Sequence, residues 1–416
     1  MNFIRSLAIK NLLRYKKRTL ITAAALSIGI AVYILMDSLV AGSMEISEQN
    51  LIRYEMSHGR ITTEEYWEDR DYFPLDQSMD DVKALMEMIR NRNGFEVVPR
   101  ISFIADLIVY QDPFPEDGNL QILVTALDPL EDSRVFALDE TVSRGRWLES
   151  GQNEVVMGEW LAHDLGADLG YPMTLVTRTR DGYYQTMDLV VVGILDCPNP
   201  SINRTGFYIP LDTADAALEQ RGGVTELAVK LPSDKDVNEK TTNWINDFLP
   251  EGLVFHTWRD LSKDYISMSN GDRYSSVIIL FLVFIIAATG VSNTMLMSVL
   301  ERTRELGMMR SMGMHDKEIK KLFLNEAAGI GILGSLMGVV AGGLGNIPLV
   351  IKGISLDGAY DSLNFGYRIS GTMWGTWNLS TFAFAVITGW LITVLVSRIT
   401  IKKVLNLSIV DELRHY

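Results

Sequence analysis

The sequence predicts a membrane protein in which four transmembrane α-helices carry a large extracytoplasmic α+β domain, inserted between the first and the second helix. Three observations predict this fold class. The 416-residue chain contains four long windows without a charged side chain. Residues 42–274, between the first two windows, are strongly acidic, whereas residues 1–18 carry only basic charges. Such a pattern is typical of one soluble domain attached to a small helical membrane part.

The four uncharged windows are each long enough to cross a bilayer, which requires about 20 apolar residues. A charge near the middle of a membrane costs roughly 2.5–3.5 kcal/mol on insertion scales, so windows this clean are not expected in a soluble core. The windows cover residues 19–36, 274–300, 327–351 and 369–397. We therefore predict transmembrane helices at 19–41, 274–300, 327–351 and 371–397.

The first window also has features of a secretory signal, because basic residues precede it and small residues follow it. Its apolar run exceeds the usual 7 to about 15 residues of a signal sequence and continues into an amphipathic stretch, which favours a retained anchor. The single cysteine, Cys197, has no partner for an internal disulfide, and its position argues against a lipoprotein anchor.

The charges flanking the windows predict the orientation. Residues 1–18 contain six Lys and Arg and no acid, the 301–326 loop six against five, and the 398–416 tail four against two. By the positive-inside rule these three segments are cytoplasmic, and both the 42–273 domain and the 352–370 loop are outside. Residues 42–274 hold 20 basic and 42 acidic residues, a net charge of −22. This acidity makes nucleic acid an improbable partner.

The external domain is predicted to be mixed α/β. Runs rich in β-branched and aromatic residues predict strands, at 96–110, 119–128, 173–179, 188–196 and 225–231. Helical periodicity over 79–94 places Val82, Leu85, Met86 and Ile89 on one face, and a second helix is predicted within 236–250. The Pro, Asp and Gly cluster at 111–119 predicts a loop.

Small residues in the third window predict close helix packing. Gly334, Gly338 and Gly342 are four residues apart, so a neighbouring helix can approach their common face. The alternative is that glycine is simply frequent in membrane helices. Trp374 and Trp377 precede the last window, where an aromatic belt is expected.

Motifs for catalysis and metal binding are missing from the sequence. It contains no G-x-x-x-x-G-K-[ST] phosphate-binding loop and no G-x-S-x-G, and its five histidines lack the spacing of a zinc site. The acidic cluster at 63–71 lacks the ligand spacing and the central glycine of a calcium-binding loop. We therefore expect a non-catalytic chain without a metal site and without a cofactor of its own.

The 301–326 segment begins "ERTRELGMMRSMGM" and is predicted to form a short helix that a partner contacts. Leu306, Met309 and Gly313 follow helical spacing, Gly313 allows a break, and Asp316 is the expected cap of the next helix. The apolar face then resumes at Ile319, Leu322 and Phe323. The predicted cytoplasmic segments are too short to fold alone. A sensor protein, which needs a cytoplasmic output domain, is therefore excluded.

Methionines give this short helix an adaptable surface. We expect Met308, Met309, Met312 and Met314 to form an exposed stripe that binds a cytoplasmic protein. The alternative is a helix lying on the bilayer, which Glu301, Glu305 and Asp316 disfavour because such helices have Lys/Arg-rich polar faces.

The 292–342 region, "SNTMLMSVLERTRELGMMRSMGMHDKEIKKLFLNEAAGIGILGSLMGVVAG", resembles the core of the FtsX-like permease family, the MacB, LolC and LolE type of membrane subunit in ABC transporters. The similarity extends to "AIKNLLRYKKRTLIT" at 8–22, to residues 151–175 and 206–218, and to "VDELR" at 410–414. One departure is Ile409, where the family often has proline.

The resemblance implies a mechanism and partners. A separate cytoplasmic ATPase, which binds ATP and Mg, grips the loop after the second span and moves the outer domain through the first two helices. The implied location is the bacterial inner membrane, and a second permease copy or a paralogue completes the complex. The outer domain would divide into a substrate-handling part at 45–130 and 220–270 and an inserted subdomain at 131–219. The implied ATPase-coupling residues are Glu301, Arg302, Arg304, Glu305, Met309, Arg310, Met312 and Gly313.

Several cargoes are compatible with this resemblance. The leading hypothesis is release of lipoproteins, with transfer to a periplasmic carrier, and the alternatives are export of peptides or small molecules and regulation of a cell-wall hydrolase. Lipoprotein release would place acyl chains at Ile34, Met44, Ile46, Val277 and Leu280. Asp37 would contact a lipid head group or a cationic cargo. The alternative is that the apolar residues only face membrane lipid and that Asp37 marks where the helix meets water.

Overall fold

A computed structural model describes residues 3–92, 94–108, 119–232, 237, 239–355 and 372–405. The predicted loop at 111–119 lies outside these residues, except for Asn119. Most of the 352–370 loop and the 406–416 tail, which includes Ile409, also lie outside them. The described helices are α1 (Phe3–Arg14), α2 (Lys16–Leu51), α3 (Glu64–Glu68), α4 (Val82–Arg90), α5 (Glu159–Asp164), α6 (Pro200–Thr205), α7 (Leu211–Leu218), α8 (Glu239–Asn246), α9 (Trp258–Leu261), α10 (Lys263–Glu301), α11 (Thr303–Ser311), α12 (Asp316–Ile351) and α13 (Leu379–Leu405).

The strands of the main sheet are β1 (Gly59–Thr63), β2 (Glu96–Ile108), β3 (Asn119–Leu127), β4 (Val142–Gly145), β5 (Glu154–Gly158), β6 (Pro172–Arg178), β7 (Tyr184–Leu195), β8 (Phe207–Pro210), β9 (Glu226–Lys230) and β10 (Leu253–Thr257). A separate short pair is formed by β11 (Ile354–Ser355) and β12 (Thr372–Met373). The described residues divide into a helical unit, up to Glu45 and from Ser267 onward, and an α/β unit, Ile46–Ile266.

Among its described residues, the helical unit contains four helices that are long and apolar enough to cross a membrane. They are α2, α10, α12 and α13, one for each uncharged window of the sequence, so the prediction of four candidate spans is confirmed. Both α2 and α10 extend well beyond their windows, because helical structure continues through the charged residues that follow or precede the apolar run.

Glycines of α12 bring this helix against α2. A Cβ atom added at Gly338 would lie 2.7 Å from Cβ of Ile30, and one added at Gly342 would lie 3.0 Å from Cβ of Ile34. Gly334 faces Leu26 in the same way. Leu26, Ile30 and Ile34 continue into an apolar core with Leu280 and Phe284 of α10 and Ala385 of α13. Close approach through small residues is therefore the packing principle of this helix pair.

The α/β unit is built on one ten-stranded sheet with the order β10-β1-β9-β2-β3-β8-β5-β7-β4, and β6 pairs with both β2 and β7. The β3–β8 and β5–β7 pairs are parallel, and the others are antiparallel. The longest register joins β2 to β3, from Arg100 opposite Leu127 to Ile108 opposite Asn119. The sheet thus continues through the predicted 131–219 subdomain, whose boundaries stay a prediction.

All five strands predicted from composition are present, as β2, β3, β6, β7 and β9. The helices predicted within 79–94 and 236–250 are also present, as α4 and α8. The sequence analysis missed β1, β4, β5, β8 and β10, each of which has only four or five residues. Val82 and Ile89 of α4 are buried in the main core together with residues such as Phe103 and Phe207.

Candidate coupling site between the second and third candidate spans

The residues after α10 form a short helix held by an apolar core. Arg302 interrupts the helix between α10 and α11, and Gly313, with φ +96°, ends the turn after α11. Leu306 of α11 is buried in a cluster with Val299, Ile319, Phe323 and Ile401. The predicted break at Gly313 and the predicted return of the apolar face in α12 are therefore confirmed.

The cap of α12 differs from the prediction. His315 has extended backbone geometry and is the N-cap, and its backbone N–H donates to Oε2 of Glu318 at 3.0 Å. The prediction that Asp316 is the cap is wrong, because the glutamate three residues after His315 is the side chain that reaches back to the helix start. Asp316 is the first helical residue and forms an ion pair with Arg310 at 3.0 Å.

The exposed side of α11 and of the turn that follows it carries methionine. Met308 is 54% exposed and Met312 is 79% exposed, whereas Met309 is half-buried. Met314 packs on the apolar core, so the predicted stripe of four exposed methionines is wrong at Met309 and Met314. We call Met308 and Met312 the methionine face. Arg304 and Gly313 are exposed on the same segment.

A buried ion pair lies beneath this segment. Arg302 is 4% exposed, and its Nη1 donates to Oε1 of Glu326 at 2.9 Å. The same oxygen accepts a hydrogen bond from Nδ2 of Asn11 at 2.6 Å, and the guanidinium of Arg302 lies 4.3 Å from the ring centre of Tyr15. Arg302 is thus buried in this structure, and its part in coupling to an ATPase stays a prediction. Arg302 joins α1 and α12 at the start of α11.

Other predicted coupling residues form ion pairs at the surface. Glu301 pairs with Arg18 at 3.3 Å, and Glu305 pairs with Arg14 at 3.8 Å. Asn11, Tyr15 and Glu326 were missed by the sequence analysis. The signal that was available is the position of Glu326, because it is the last charge before the third uncharged window.

The six residues predicted to contact lipid differ in their exposure. Ile34 and Leu280 are 1% and 5% exposed inside the helical unit, and their role in contacting a lipid stays a prediction. Val277 is 54% exposed, and Met44 and Ile46 are half-buried. Asp37 accepts a hydrogen bond from Oγ1 of Thr381 at 2.6 Å, which ties α2 to α13.

The α/β unit contains a polar cavity of about 240 Å³ that the sequence analysis did not find. Arg60 lies in its wall and donates to Glu226 at 2.6 Å, and Tyr66 and Tyr208 also line it. Burial raises the pKa of both tyrosines above its ordinary value. These residues come from distant parts of the chain, so no local motif marks the cavity. Within the described ranges, no three His, Cys, Asp or Glu residues are placed to hold a metal ion.

Comparisons with known proteins match both units. The family model of the MacB-like periplasmic core domain matches residues 19–243, and that of the FtsX-like permease C-terminal domain matches residues 277–409. The lipoprotein-releasing system transmembrane protein LolC of Neisseria meningitidis is 22% identical over 345 residues, which are 79% of each chain.

Two further similarities concern MacB proteins. The macrolide export ATP-binding/permease protein MacB of Pasteurella multocida is 23% identical over 371 residues, which cover 80% of this chain and 50% of that one. The crystal structure of the periplasmic region of MacB from Actinobacillus actinomycetemcomitans aligns with a TM-score of 0.33 and 16% identity, covering 51% of this chain and 94% of that one.

Proposed function

This chain belongs to the FtsX-like permease family with a MacB-like periplasmic core domain, the permease subunits of MacB, LolC and LolE type in ABC transporters. On that premise we propose that it transmits the motion of a separate ATPase to its inserted domain, and that this motion releases lipoproteins from the bacterial inner membrane. The single observation that carries this proposal is the methionine face, Met308 and Met312.

Two properties suit the methionine face to a protein partner. Methionine side chains are flexible and polarisable, so they adapt to a neighbouring surface. The helix below them is fixed by buried Leu306 and by the Arg302–Glu326 pair, so a force on α11 is passed to α1 and α12. We propose that Arg304 and Gly313 contact the ATPase beside the methionine face and that Glu301, Glu305 and Arg310 support α11 through their ion pairs.

The long helices offer a path for this motion. The division between the two units falls after Glu45 and before Ser267, and both positions lie inside uninterrupted helices, α2 and α10. A continuous helix transmits displacement along its axis because its backbone hydrogen bonds are internal. We propose that α2 and α10 carry the displacement from the helical unit to the inserted domain.

The proposed orientation places the methionine face and both termini in the cytoplasm. The basic excess in residues 1–18 supports it, since short basic flanks stay on the cytoplasmic side.

Cysteine labelling tests this orientation with little background. Cys197 is buried, and burial raises the pKa of its thiol to about 12, so maleimide should not react with it in the folded chain. A cysteine at Met312 should be labelled only after the membrane is opened, and one at Tyr183 in intact spheroplasts; the reverse pattern contradicts this orientation.

Lipoprotein release is supported by the LolC similarity, which covers 79% of both chains. Export by a MacB-like route is the second candidate, and the match of the inserted domain to the MacB-like periplasmic core supports it. The two functions differ in cargo. A lipoprotein-releasing subunit must act on a protein that membrane lipid holds by its acyl chains, whereas an exporter must act on a molecule without such an anchor.

Reconstitution separates the two candidates. The full chain and its ATPase are placed in liposomes with an acylated lipoprotein, and the released lipoprotein is measured after addition of ATP and a soluble carrier. Release should depend on ATP and should stop in a chain carrying Met308→Asp and Met312→Asp. The matched chain with Met308→Leu and Met312→Leu should retain release, since leucine keeps the face apolar. ATP hydrolysis with macrolide transport but without lipoprotein release would replace the first candidate by the second.

A further inference from the structure

A groove of about 1010 Å³ lies in the helical unit beside the junction of α1 and α2. One wall is formed by residues 13–18 and by Ile21 and Thr22, and the other by α10 through Asn293, Thr294, Met297 and Glu301. The chain turns at Tyr15, between the end of α1 at Arg14 and the start of α2 at Lys16. The groove therefore lies where the first candidate span begins and the second ends.

The rim of the groove is strongly basic. Arg14, Lys16, Lys17 and Arg18 line it, against the single carboxylate of Glu301. Glu301 is already paired with Arg18 at 3.3 Å. Lys16 and Lys17 are exposed, and neither forms an ion pair with another described residue. Two ammonium groups are thus available at the rim, and their positive charge is not compensated within the groove.

Part of the groove lining is apolar. Ile21 on α2 is 70% exposed and Met297 on α10 is 57% exposed, and both line the groove. The hydroxyl groups of Thr22 and Thr294 donate to the backbone carbonyls of Arg18 and Gly290 at 3.0 and 2.9 Å. The exposed amide of Asn293 is a further polar group on the α10 side. The groove therefore combines a cationic rim with an apolar wall on two candidate membrane helices.

We propose that this groove binds one anionic phospholipid. The phosphate lies against the ammonium groups of Lys16 and Lys17, and an acyl chain lies along Ile21 and Met297. Basic residues next to a span attract anionic lipid, and an apolar wall between two spans adds selectivity for a molecule with acyl chains over a free phosphate. The site depends on the membrane location of α2 and α10, and it does not depend on which cargo is moved.

The test uses the full chain in a neutral detergent and native mass spectrometry with short-chain phosphatidylglycerol, short-chain phosphatidylcholine and glycerol 3-phosphate as separate probes. Phosphatidylglycerol should bind at a stoichiometry of one lipid per chain and more tightly than the other two. Equal binding of phosphatidylcholine would show that the positive charge of the groove does not contribute to lipid binding. Equal binding of glycerol 3-phosphate would show that the apolar wall does not contribute to lipid binding. Either result overturns the proposal.

Two matched double variants locate the site. Lys16→Gln with Lys17→Gln should weaken phosphatidylglycerol binding about 30-fold, because each basic residue near an anionic lipid surface contributes roughly fivefold. Lys317→Gln with Lys321→Gln removes the same charge from exposed positions of α12 that do not line the groove, and it should change binding less than about twofold. Equal losses of phosphatidylglycerol affinity in both variants would show that the lipid is attracted by surface charge in general, and this would overturn the proposed site in the groove.

A third variant tests the α10 wall independently of the lysines. Asn293→Asp adds a carboxylate to the groove at an exposed position, so it should weaken phosphatidylglycerol binding about fivefold and leave thermal stability unchanged. Unchanged lipid binding in this variant would contradict a site shared between α2 and α10.

Discussion

Two buried arginine–carboxylate pairs show how differently the helical and the α/β unit are held together. In the α/β unit, Arg100 donates from Nε to Oδ1 of Asp132 at 2.8 Å and from Nη2 to Oδ2 at 2.9 Å. In the helical unit, Arg302 donates only from Nη1, to one oxygen of Glu326, and its Nε and Nη2 are buried without a partner among the described residues. Both arginines are almost fully buried.

The difference lies in how completely the donors of each guanidinium are satisfied. Burial alone disfavours the charge of Arg100, but the Asp132 carboxylate outweighs it and raises the pKa of the guanidinium. Phe136 covers the guanidinium at 3.5 Å, so this pair has one satisfied arrangement. Arg302 retains unused donors in a low-dielectric setting, where an unpaired group is costly. Arg302 therefore joins α11 to Glu326 with one hydrogen bond, whereas Arg100 holds Asp132 with two.

The largest expected effect comes from breaking the satisfied pair. Asp132→Asn leaves one amide nitrogen facing an Arg100 donor and removes the compensating charge, so the free energy of unfolding of the α/β unit should fall by about 3–5 kcal/mol. Denaturant unfolding of the full chain, followed by tryptophan fluorescence, measures this change. The double variant Arg100→Met and Asp132→Leu should be nearly neutral. A double variant as unstable as Asp132→Asn would show that the pair itself, and not the orphaned charge, dominates.

The second prediction concerns the small-residue contact of the helical unit. Gly338→Ala places a methyl group 2.7 Å from Cβ of Ile30 and 2.9 Å from the carbonyl oxygen of Ser27, so the helical unit should lose about 1–3 kcal/mol. Gly343→Ala in the same helix meets only Phe382 at 3.6 Å and should be neutral or stabilising. Unfolding in SDS measures both. Equal stability of the two variants would contradict the close α2–α12 contact.

A substitution of Glu326 distinguishes the two ion pairs. Glu326→Gln removes the compensating charge as Asp132→Asn does, but it keeps the single Oε1 acceptor that Arg302 and Asn11 use, so its cost should be about 1–2 kcal/mol smaller than that of Asp132→Asn. The same variant should reduce the stimulation of the ATPase more than it reduces stability, because Arg302 loses its charged partner at the start of α11. A stability loss equal to that of Asp132→Asn would contradict the difference in hydrogen bonding between the Arg100–Asp132 and Arg302–Glu326 pairs.

The smallest expected effect is a pH dependence of the α/β unit. His256 stacks on Trp67 with ring centres 3.4 Å apart, and burial, opposed in part by Asp260, lowers its pKa from 6.5 to about 4. The unfolded chain then binds more protons between these values, so stability is complete above pH 6.5 and falls as the pH drops toward 4. His256→Phe keeps the stack and should remove this component from the stability curve. Parallel curves for the two proteins would contradict the lowered pKa.

Uncharged windows were sufficient to predict the four candidate spans, because charge is excluded from long apolar helices by a large free-energy cost. The lengths of α2 and α10 were not predictable from hydropathy, because both helices extend beyond their apolar runs into charged residues. The same limit explains β5 and β8. Short strands buried on both faces show no alternation of polar and apolar residues, and their pairing with distant strands leaves no local pattern.

The candidate site was predicted in part. The spacing of Leu306 and the break at Gly313 follow from local backbone preferences, and both are found in the structure. The burial of Arg302 was not predictable, because it depends on Asn11 and Glu326, which are far away in sequence. The burial of Ile34 was not predictable for a similar reason. A membrane helix is apolar on all sides, so hydropathy does not distinguish its packed face from its lipid face.

Photo-crosslinking from the methionine face tests the central claim most directly. A photoreactive amino acid is placed at Met312, 79% exposed, or at Tyr183 of the α/β unit, 70% exposed, and the full chain is irradiated in native membranes. We expect a covalent adduct with an ATP-hydrolysing subunit from position 312 and none from position 183. An adduct with that subunit from position 183, or its absence from position 312, would contradict the proposal that α11 receives force from an ATPase.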